Sequence, residues 1–415
     1  MHKVIRDPIH GYIEINDLAI AILDTVEMQR LRRIRQLGFS YLVYPGANHT
    51  RFEHSLGTYH LMNVLLDKLG VAKEEEVELR VASLIHDIGH GPYSHVTEPI
   101  NQKFTGKTHE DIEDILFMHR VEPEKSDVEE RSSHIAEILE TYRLDKHKIL
   151  GYINGTGKST GRDFTKILNG EIDVDKMDYL VRDSYYTGVA YGVLDNMRLI
   201  QGLDFFEGSL VITEKGILPA EYLLFSRFLM YPTVYRHHTS RIARLMFARA
   251  VEHYINSEPS SSQYELALRK MDDSEMDVTL RTADGYPRDM MERINERRLF
   301  KRAVYTGVIN LEGRIVEGLS TGKRVRELER EISRKAGVDE KYVIIDFQDD
   351  KEDVLKESEA RVIIRGEQST KSLREVSELV SILSRVFLEN SKLGVYTPGK
   401  YRDAVKKAAE RVLWC

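Results

Sequence analysis

Residues 84–92, Leu84-Ile85-His86-Asp87-Ile88-Gly89-His90-Gly91-Pro92, are the stretch from which the fold can be argued. The apolar residues before and within it have the spacing of one buried helix face: Val77, Val81, Leu84, Ile85 and Ile88. Gly89 and Pro92 predict that this helix stops here. Neighbouring helical residues point about 100° apart, so His86 and Asp87 can flank one ion. A His-Asp pair is common by chance, and a histidine that caps the helix end is the alternative.

Two other segments supply candidate ligands for the same ion. Arg51-Phe52-Glu53-His54-Ser55 begins a predicted helix, and residues 171–179 include three aspartates that alternate with apolar side chains. A purely charged surface does not explain this alternation. Two histidines and two carboxylates suit a divalent ion, such as Mn, Fe, Mg, Ni, Co or Zn, and leave positions open for water and substrate. The predicted metal ligands are His54, His86, Asp87 and Asp175.

The composition describes a mildly acidic globular protein. Of 415 residues, 60 are Lys or Arg and 67 are Asp or Glu, which gives a net charge of −7, and 41% are hydrophobic. These values exclude a disordered polyelectrolyte and argue against an even positive coat for duplex DNA. The single cysteine, Cys415, allows neither an intrachain disulfide nor a cysteine-based metal site. Any metal must therefore be held by His, Asp or Glu.

Histidines are concentrated in one part of the chain. Seven of the 15 fall within residues 49–109, which favours a functional site there. The N-terminus carries no apolar core of signal-peptide length, and no apolar run approaches the ~18 residues of a membrane span. We therefore expect a cytoplasmic protein without a membrane partner.

The pattern of apolar residues changes near residue 300. Before it the pattern is mainly helical, including a helix predicted over Met28–Leu37 with one apolar and one basic side. After it, Val343–Ile345 and Val362–Ile364 predict strands, and the apolar spacing over 373–387 predicts a helix. The predicted fold class is mainly α, with an all-helical core over residues 1–300 and a smaller α+β domain over 301–415.

The order His…His-Asp…Asp resembles the signature of the HD-domain metal-dependent phosphohydrolases. The chain further resembles the deoxynucleoside triphosphate (dNTP) triphosphohydrolase branch in ordered segments that span nearly all of residues 3–301. These segments are Asp7–Gly11, Gln29–Arg32, Gln36–Gly38, Pro45–Ser55, His86–His95, Thr108–Glu110, Ile172–Asp183 and Arg297 with Leu299–Lys301. The resemblance implies that residues 1–300 form an HD-domain catalytic core. The last hundred residues share only the general pattern of helices and strands with the family.

The resemblance also implies a reaction and its catalytic groups. In this branch, attack on the α-phosphorus releases a deoxynucleoside and intact inorganic triphosphate, and a metal ion lowers the pKa of water from 15.7 towards ~7–9. His95 matches the position of the general acid, with Glu98 and His109 beside it. The branch more often has Asp where Glu98 stands. His90 matches a position that contacts phosphate.

Substrate contacts follow from the same resemblance. A triphosphate carries about four negative charges, which need local cations in an acidic protein. Phosphate-binding positions are matched by Arg51, Lys176 and Arg227. Sugar and base contacts are matched by Gln36, Leu37, Tyr179, Asp183 and Tyr235. A tyrosine packed under C2′ would exclude a 2′-hydroxyl and favour deoxyribose. Arg236 stands where vertebrate members have Gln, so base preference does not transfer.

A second set of positions resembles the family's regulatory site, which binds GTP or dGTP between subunits. The matching residues are Lys3, Val4, Asp24, Gln29, Arg32, Lys215, Arg297 and Lys301. Asp accepts from a guanine edge, and Lys and Arg bind phosphates. The alternative is that the arginines of residues 30–35 form a solvated helix face. The resemblance also implies a homo-oligomer, either a tetramer or a dimer.

The predicted function is metal-dependent hydrolysis of dNTPs, activated by a guanine nucleotide if the regulatory site exists. Two alternatives stay open. One is another HD-type phosphohydrolase, acting as a nucleotide phosphatase, a phosphodiesterase or a single-strand nuclease. The other is a non-catalytic protein that binds nucleotides or nucleic acid, against which the intact set of metal ligands argues.

Overall fold

A computed structural model of the protein describes residues 3–74, 76–117, 133–157, 161–257, 267–319, 322–348, 356–388 and 391–414. These residues are mainly helical, which confirms the predicted fold class. The helices are α1 (Asp17–Leu23), α2 (Val26–Leu31), α3 (Arg51–Lys68), α4 (Val77–Ile85), α5 (Glu98–Thr105), α6 (Glu113–Leu116), α7 (Ile135–Thr141), α8 (Lys146–Ile153), α9 (Thr165–Leu168), α10 (Val174–Thr187), α11 (Asn196–Gln201), α12 (Ile217–Met230), α13 (His238–Ser257), α14 (Asp273–Thr282), α15 (Tyr286–Asn295), α16 (Gly313–Val316), α17 (Gly322–Ala336), α18 (Leu373–Val376), α19 (Glu378–Leu388) and α20 (Arg402–Leu413).

Within the described ranges, short strands form three small sheets. The strands are β1 (Lys3–Asp7), β2 (Gly11–Ile15), β3 (Leu203–Phe206), β4 (Ser209–Thr213), β5 (Lys301–Gly307), β6 (Ile344–Gln348), β7 (Arg361–Ile363), β8 (Lys371–Ser372) and β9 (Lys392–Thr397). The sheet orders are β1-β2, β3-β4-β7-β8 and β5-β9-β6, and β4 pairs with β7 in parallel. The strands predicted near residues 343 and 362 are thus confirmed as β6 and β7.

The largest apolar core lies among α3, α4, α8, α10 and α12, which carry Leu65, Leu84, Ile149, Leu180 and Leu223 into it. Of the predicted apolar face, Val81, Leu84, Ile85 and Ile88 are buried there, whereas Val77 is half-buried. The helix itself ends at Ile85, where the backbone tightens and the N–H of Ile88 donates to the Ile85 carbonyl at 3.1 Å. His86 and Asp87 therefore lie in the turn that follows α4.

The helix predicted over Met28–Leu37 is wrong beyond Leu31, where α2 ends. Its arginines do not share one solvated face, because each has a different partner in the folded chain. Arg30 is buried and donates to the carbonyl oxygen of His90 at 2.8 Å. Arg33 pairs with Asp272.

A second core contains the buried faces of α13, α14 and α15. Phe39 and Tyr93 join it, with their rings stacked at a centroid distance of 4.3 Å. This core therefore supports the segment that follows the His-Asp turn, because Tyr93 belongs to it.

The C-terminal region packs in two places. Strands β5, β6 and β9 form a third core with α17 and α20. Residues 356–388 instead pack against the largest core, where Ala360, Val362, Leu373 and Val380 are buried. The domain division at residue 300 stays a prediction. Of the helices in the described ranges, none is long and apolar enough to cross a membrane.

Candidate active site

The four predicted metal ligands converge where α3, α10 and the turn after α4 meet. Nε2 of His54 lies 2.8 Å from Oδ1 of Asp175 and 3.3 Å from Nε2 of His86. Nε2 of His86 lies 3.6 Å from Oδ1 of Asp175 and from Oδ1 of Asp87. His54, His86 and Asp175 each offer one ligand atom, and these atoms all lie within 4.8 Å of one another. This donor set fits a divalent cation.

Both histidines are held so that Nε2 faces the shared position. Nδ1 of His54 lies 2.8 Å from Oδ2 of Asp178, and Nδ1 of His86 lies 2.9 Å from the carbonyl oxygen of Ser83. Because these oxygens only accept, each Nδ1 carries a proton, and each Nε2 faces the shared position, where a metal ion would take the place of any proton on that nitrogen. Metal-binding histidines in proteins are oriented in this way by a second hydrogen bond.

Asp178 is the centre of a buried charge network behind His54. Arg182 donates to the two oxygens of Asp178 at 2.8 and 3.0 Å and to Asp7 at 2.9 Å. Nε2 of His10 lies 2.6 Å from Oδ1 of Asp178. Both Asp178 and Arg182 are fully buried. Because a buried charge is tolerated only when it is well paired, these contacts fix the carboxylate that orients His54.

The side chains of the cluster stabilise each other's charged forms. Burial opposes a charge on His54, but hydrogen bonds to Asp175 and Asp178 raise its pKa to about 10. Burial also opposes ionisation of Asp175, yet His54 and His86 hold the pKa of Asp175 below its ordinary value. Arg51 and neighbouring histidines keep the pKa of Asp87 well below its ordinary value against burial. Both carboxylates are therefore ionised at neutral pH, as a cation requires.

Glu98, the first residue of α5, joins two of the predicted catalytic histidines. Nδ1 of His95 donates to Oε2 of Glu98 at 2.6 Å, and Nδ1 of His109 donates to Oε1. Although enclosure disfavours charge on both partners, the Glu98 carboxylate raises the pKa of His109, and the two histidines keep the pKa of Glu98 below its usual range. Enclosure by the cavity walls lowers the pKa of His95. The three residues can therefore hold and move one proton.

His90 lies between this group and the metal ligands. Its ring stacks on that of His109 at 4.1 Å, and its Nε2 is 3.3 Å from Oδ1 of Asp87. A Cβ at Gly89 would meet the carbonyl oxygen of His109 at 2.1 Å, so only glycine allows this close approach. His90, His95 and His109 also bring nitrogens within 4.8 Å of one another. That group contains no carboxylate, so we favour the first cluster for the metal.

The turn that presents His95 is strained and firmly held. Tyr93 and Ser94 both have a φ of 57°, which non-glycine residues rarely adopt. The backbone N–H of Tyr93 donates to Asp273 at 2.6 Å, and Arg244 donates to the carbonyl oxygen of His95 at 2.6 Å. These contacts offset the strain and fix the position of His95.

A cavity of about 650 Å³ opens beside both groups. All eight residues predicted to bind substrate line it: Gln36, Leu37, Arg51, Lys176, Tyr179, Asp183, Arg227 and Tyr235. Two of its cations are held by carboxylates in the wall. Arg51 donates to Asp87 at 2.9 Å, and Lys176 donates to Asp173 at 2.5 Å. The cavity thus places cations next to the metal ligands, although carboxylates line it as well.

Two tyrosines lie between the metal ligands and Asp183. The ring of Tyr179 is 6.5 Å from that of His54 and 6.4 Å from that of Tyr235. The hydroxyl of Tyr235 donates to Asp183 at 2.9 Å, and Nε2 of His49 lies 2.7 Å from the other oxygen of Asp183. Asp183 is therefore fixed at the end of a wall that Tyr179 forms.

Sequence reasoning missed several residues of this site. His49 lies in the histidine-rich stretch and anchors Asp183, a role that its position in the sequence does not indicate. Arg30 holds the backbone around His90, and no pattern distinguished it from its neighbouring arginines. Arg241 and Glu357 also line the cavity. A spacing of three on α13 between Arg241 and Arg244 could have suggested a shared face, but nothing in the sequence pointed to Glu357.

The predicted regulatory residues lie in separate parts of the chain. Arg297 and Lys301 line a cavity of about 280 Å³ with His238, Arg302 and Arg402. Asp24 and Gln29 lie near the junction of α1 and α2, and Lys215 follows β4. Lys3 and Val4 lie on β1, and Arg32 directly follows α2. A site between subunits would combine different chains, so this assignment stays a prediction.

Comparisons with known proteins place this geometry in a family. An HD domain family model matches residues 51–183, which contain all four predicted metal ligands, and an HD associated region model matches residues 194–414. The chain belongs to the HD-domain family. HD domains bind divalent metals, and the group formed by His54, His86 and Asp175 could hold such an ion. Membership in the family also indicates a hydrolase.

Relatives agree with this assignment. An uncharacterised protein of Methanocaldococcus jannaschii is 35% identical over 98% of this chain and 81% of its own length. Deoxynucleoside triphosphate triphosphohydrolase SAMHD1 of Gallus gallus is 30% identical over 72% of this chain, which spans about half (55%) of that relative's length. The crystal structure of a phosphohydrolase from Bacteroides thetaiotaomicron has a TM-score of 0.73 and 26% identity, covering 96% of this chain and 100% of that one.

Proposed function

We propose that this HD-domain protein hydrolyses dNTPs to a deoxynucleoside and inorganic triphosphate. One observation carries the proposal: all eight substrate positions line one cavity, which the His86-Asp87 pair and the His95–Glu98–His109 group also line. Arg51, Lys176 and Arg227 would bind the triphosphate, and Tyr179, Asp183 and Tyr235 the sugar. The SAMHD1 relatives, which carry this activity in their names, support the choice of substrate.

The residues of the chain would divide the reaction between them. His54, His86, Asp87 and Asp175 would hold a divalent ion, whose Lewis acidity makes a water nucleophilic near neutral pH. Arg51 would orient the α-phosphate, because its guanidinium is fixed by Asp87 and Ser94. The leaving 5′-oxygen needs a proton, which His95 would donate. Glu98 would hold the His95 ring in place and let His109 supply the next proton.

Tyr179 would select deoxyribose. Its ring lies between the metal ligand His54 and Tyr235, whose hydroxyl donates to Asp183. A sugar whose 3′-hydroxyl reaches Asp183 would rest on this ring and leave no room for a 2′-hydroxyl. Burial raises the pKa of Tyr179 above its ordinary value, so the ring stays neutral beside the phosphates.

Product analysis tests the proposal directly. The purified chain would be incubated with each dNTP and each ribonucleotide under a series of divalent metals, and the products would be separated by chromatography. We expect inorganic triphosphate and deoxynucleoside in equal amounts, with ribonucleotides turned over poorly. Orthophosphate, a nucleoside diphosphate or shortened oligonucleotides would instead identify another HD-type phosphohydrolase.

The Asp87→Ala variant separates the enzyme from a non-catalytic binding protein. Asp87 is one of the predicted ligands, so its loss should abolish hydrolysis. A nucleotide sensor or nucleic-acid-binding protein would keep most of its binding in the variant. Affinity for single strands that falls steeply with salt would favour the nucleic-acid alternative.

We also propose that a guanine nucleotide activates a homo-oligomer of this chain. Arg297 and Lys301 share a cavity with Arg302, Arg402 and His238, a concentration of positive charge that suits nucleotide phosphates. Asp24 would accept from the guanine edge of a nucleotide held between subunits. If GTP or dGTP changes neither the oligomeric state nor the turnover of another dNTP, this regulatory proposal fails.

A further inference from the structure

An ion pair from the C-terminal region closes one wall of the active-site cavity. Nη1 of Arg227 contacts Oε1 of Glu357, and both residues line the cavity. Only 8% of Arg227 and 3% of Glu357 are exposed. The same guanidinium donates from Nη2 to the hydroxyl of Tyr231 at 2.8 Å. A carboxylate therefore already contacts a cation that the proposed function assigns to the substrate's phosphates.

The fold brings these two residues together through one sheet. Strand β4 leads through the short turn Glu214–Gly216 into α12, which carries Arg227, and β7 begins four residues after Glu357. The two strands pair in parallel, with Ile212 opposite Val362. The chain between Glu357 and β7 is anchored as well, because Ala360 is buried and its carbonyl accepts from the N–H of Leu373 at 2.8 Å. Strand register and core packing thus determine the position of Glu357.

A phosphate entering this part of the cavity would meet the Glu357 carboxylate. Both are anions, and their repulsion is strong where water is largely excluded. A phosphate oxygen that bonds to the side of Nη1 of Arg227 facing Glu357 needs the place that Oε1 of Glu357 occupies. The neighbouring Lys356 also lines the cavity, so the segment offers a cation as well as the competing carboxylate.

We propose that Glu357 competes with the substrate's phosphates for Arg227 and thereby sets the affinity of the cavity for polyphosphate. Glu357 is then a specificity-determining residue, because a longer polyphosphate has more to gain from displacing it than a monophosphate. The inference rests on the proposed function only for the role given to Arg227. If Glu357 instead oriented Arg227 for phosphate, its removal would weaken polyphosphate binding, whereas removal of a competitor strengthens it. The two roles can therefore be distinguished.

The test measures binding of inorganic tripolyphosphate to the full chain by calorimetry, at fixed salt and divalent ion. Glu357→Gln keeps the shape of the side chain and removes its charge. We expect it to bind tripolyphosphate at least about tenfold more tightly than the wild type, with a much smaller change for orthophosphate. Unchanged or weaker binding of tripolyphosphate would overturn the proposal.

Two further variants show whether the effect acts through Arg227. Glu359→Gln is the matched control, because Glu359 is exposed and pairs with Arg374 at 2.9 Å, so its binding should equal that of the wild type. In an Arg227→Met background, the gain from Glu357→Gln should shrink to the part that the loss of charge repulsion alone supplies, and an undiminished gain would contradict the competition. If Glu357→Gln does not fold, Glu357→Asp shortens the arm and should tighten binding to a lesser degree, whereas no gain would count against the proposal.

The outcome is separate from that of the proposed function. Tighter tripolyphosphate binding by Glu357→Gln, with no turnover of any dNTP, would retain the competition and overturn the dNTPase proposal. Hydrolysis of dNTPs by the wild type, with no gain in tripolyphosphate binding by Glu357→Gln, would support the dNTPase proposal and overturn the competition.

Discussion

At the scale of single residues, the site depends on side chains that would not touch the metal. His54 can present Nε2 to an ion because Asp178 accepts from its Nδ1, and Asp178 is held in turn by Arg182 and His10. Outer partners of this kind typically account for 10–100-fold in metal affinity. Their contribution can be measured without assuming any substrate.

We expect Asp178→Asn to weaken binding of Mn²⁺ by about 10–100-fold. The amide can rotate its N–H₂ towards His54, which removes the acceptor that fixes the tautomer. The measurement is a calorimetric titration, accompanied by thermal unfolding to confirm a folded protein. Asp195→Asn is the control, since Asp195 is exposed and caps α11. Equal affinities in wild type and Asp178→Asn would show that Asp178 does not position His54.

Glu98→Gln should change the pH profile of hydrolysis. Burial favours the neutral ring of both His95, the proposed proton donor, and His109, but the Glu98 carboxylate stabilises the protonated form of each and so acts to raise the pKa of both histidines. A proton donor works only while it is protonated, and activity is lost as the pH rises through its pKa. Without the carboxylate this pKa falls, so the alkaline limb of kcat/KM should move to lower pH. An alkaline limb that stays in place would contradict the assigned role of Glu98.

At the scale of the elements, α3 and α10 approach so closely that one helical position must be glycine. A Cβ at Gly57 would lie 1.8 Å from Oδ1 of Asp178 and 2.5 Å from Nη2 of Arg182. Glycine within a helix ordinarily costs ~1 kcal/mol relative to alanine. Here that cost is outweighed, because the buried charge network occupies the space of a methyl group.

Gly57→Ala should therefore destabilise the protein, although propensity alone predicts the opposite. Overpacking typically costs about 1–3 kcal/mol, and displacement of Asp178 would add to it. Gly322→Ala on α17 is the matched control, because nothing lies within 4 Å of its added Cβ. Chemical denaturation of both variants measures the difference. A Gly57→Ala protein as stable as the control would mean that α3 and α10 can separate without cost.

At the scale of the whole molecule, the predicted metal ligands come from three separated segments, so an ion bound to them should stabilise the fold. An ion at 100 times its Kd adds about 2.7 kcal/mol to the free energy of unfolding. We expect a chelator to lower the Tm of the metal-loaded wild type and to leave that of Asp87→Ala unchanged. Asp204→Ala is the control, since Asp204 is exposed. A chelator that leaves the wild-type Tm unchanged would argue against this cluster as the metal site.

Local sequence patterns predict those helices and strands whose formation depends mainly on residues close by in the chain. The 3.6-residue spacing before His86 predicts the buried face of α4, and the β-branched runs predict β6 and β7. The end of α2 could not be found in this way. Its apolar spacing continues to Leu37, but the chain turns after Leu31, where Arg30 binds carbonyl groups from distant loops.

The sequence by itself predicted the kind of site, because the chemistry of His and Asp and their order along the chain point to a metal, and the family resemblance adds a phosphate. Only the tertiary structure decided which other side chains control them. Asp178 behind His54, His49 beside Asp183 and Glu357 against Arg227 are all contacts between distant segments. Helix packing and the parallel pairing of β4 with β7 create these contacts, and no local periodicity records them.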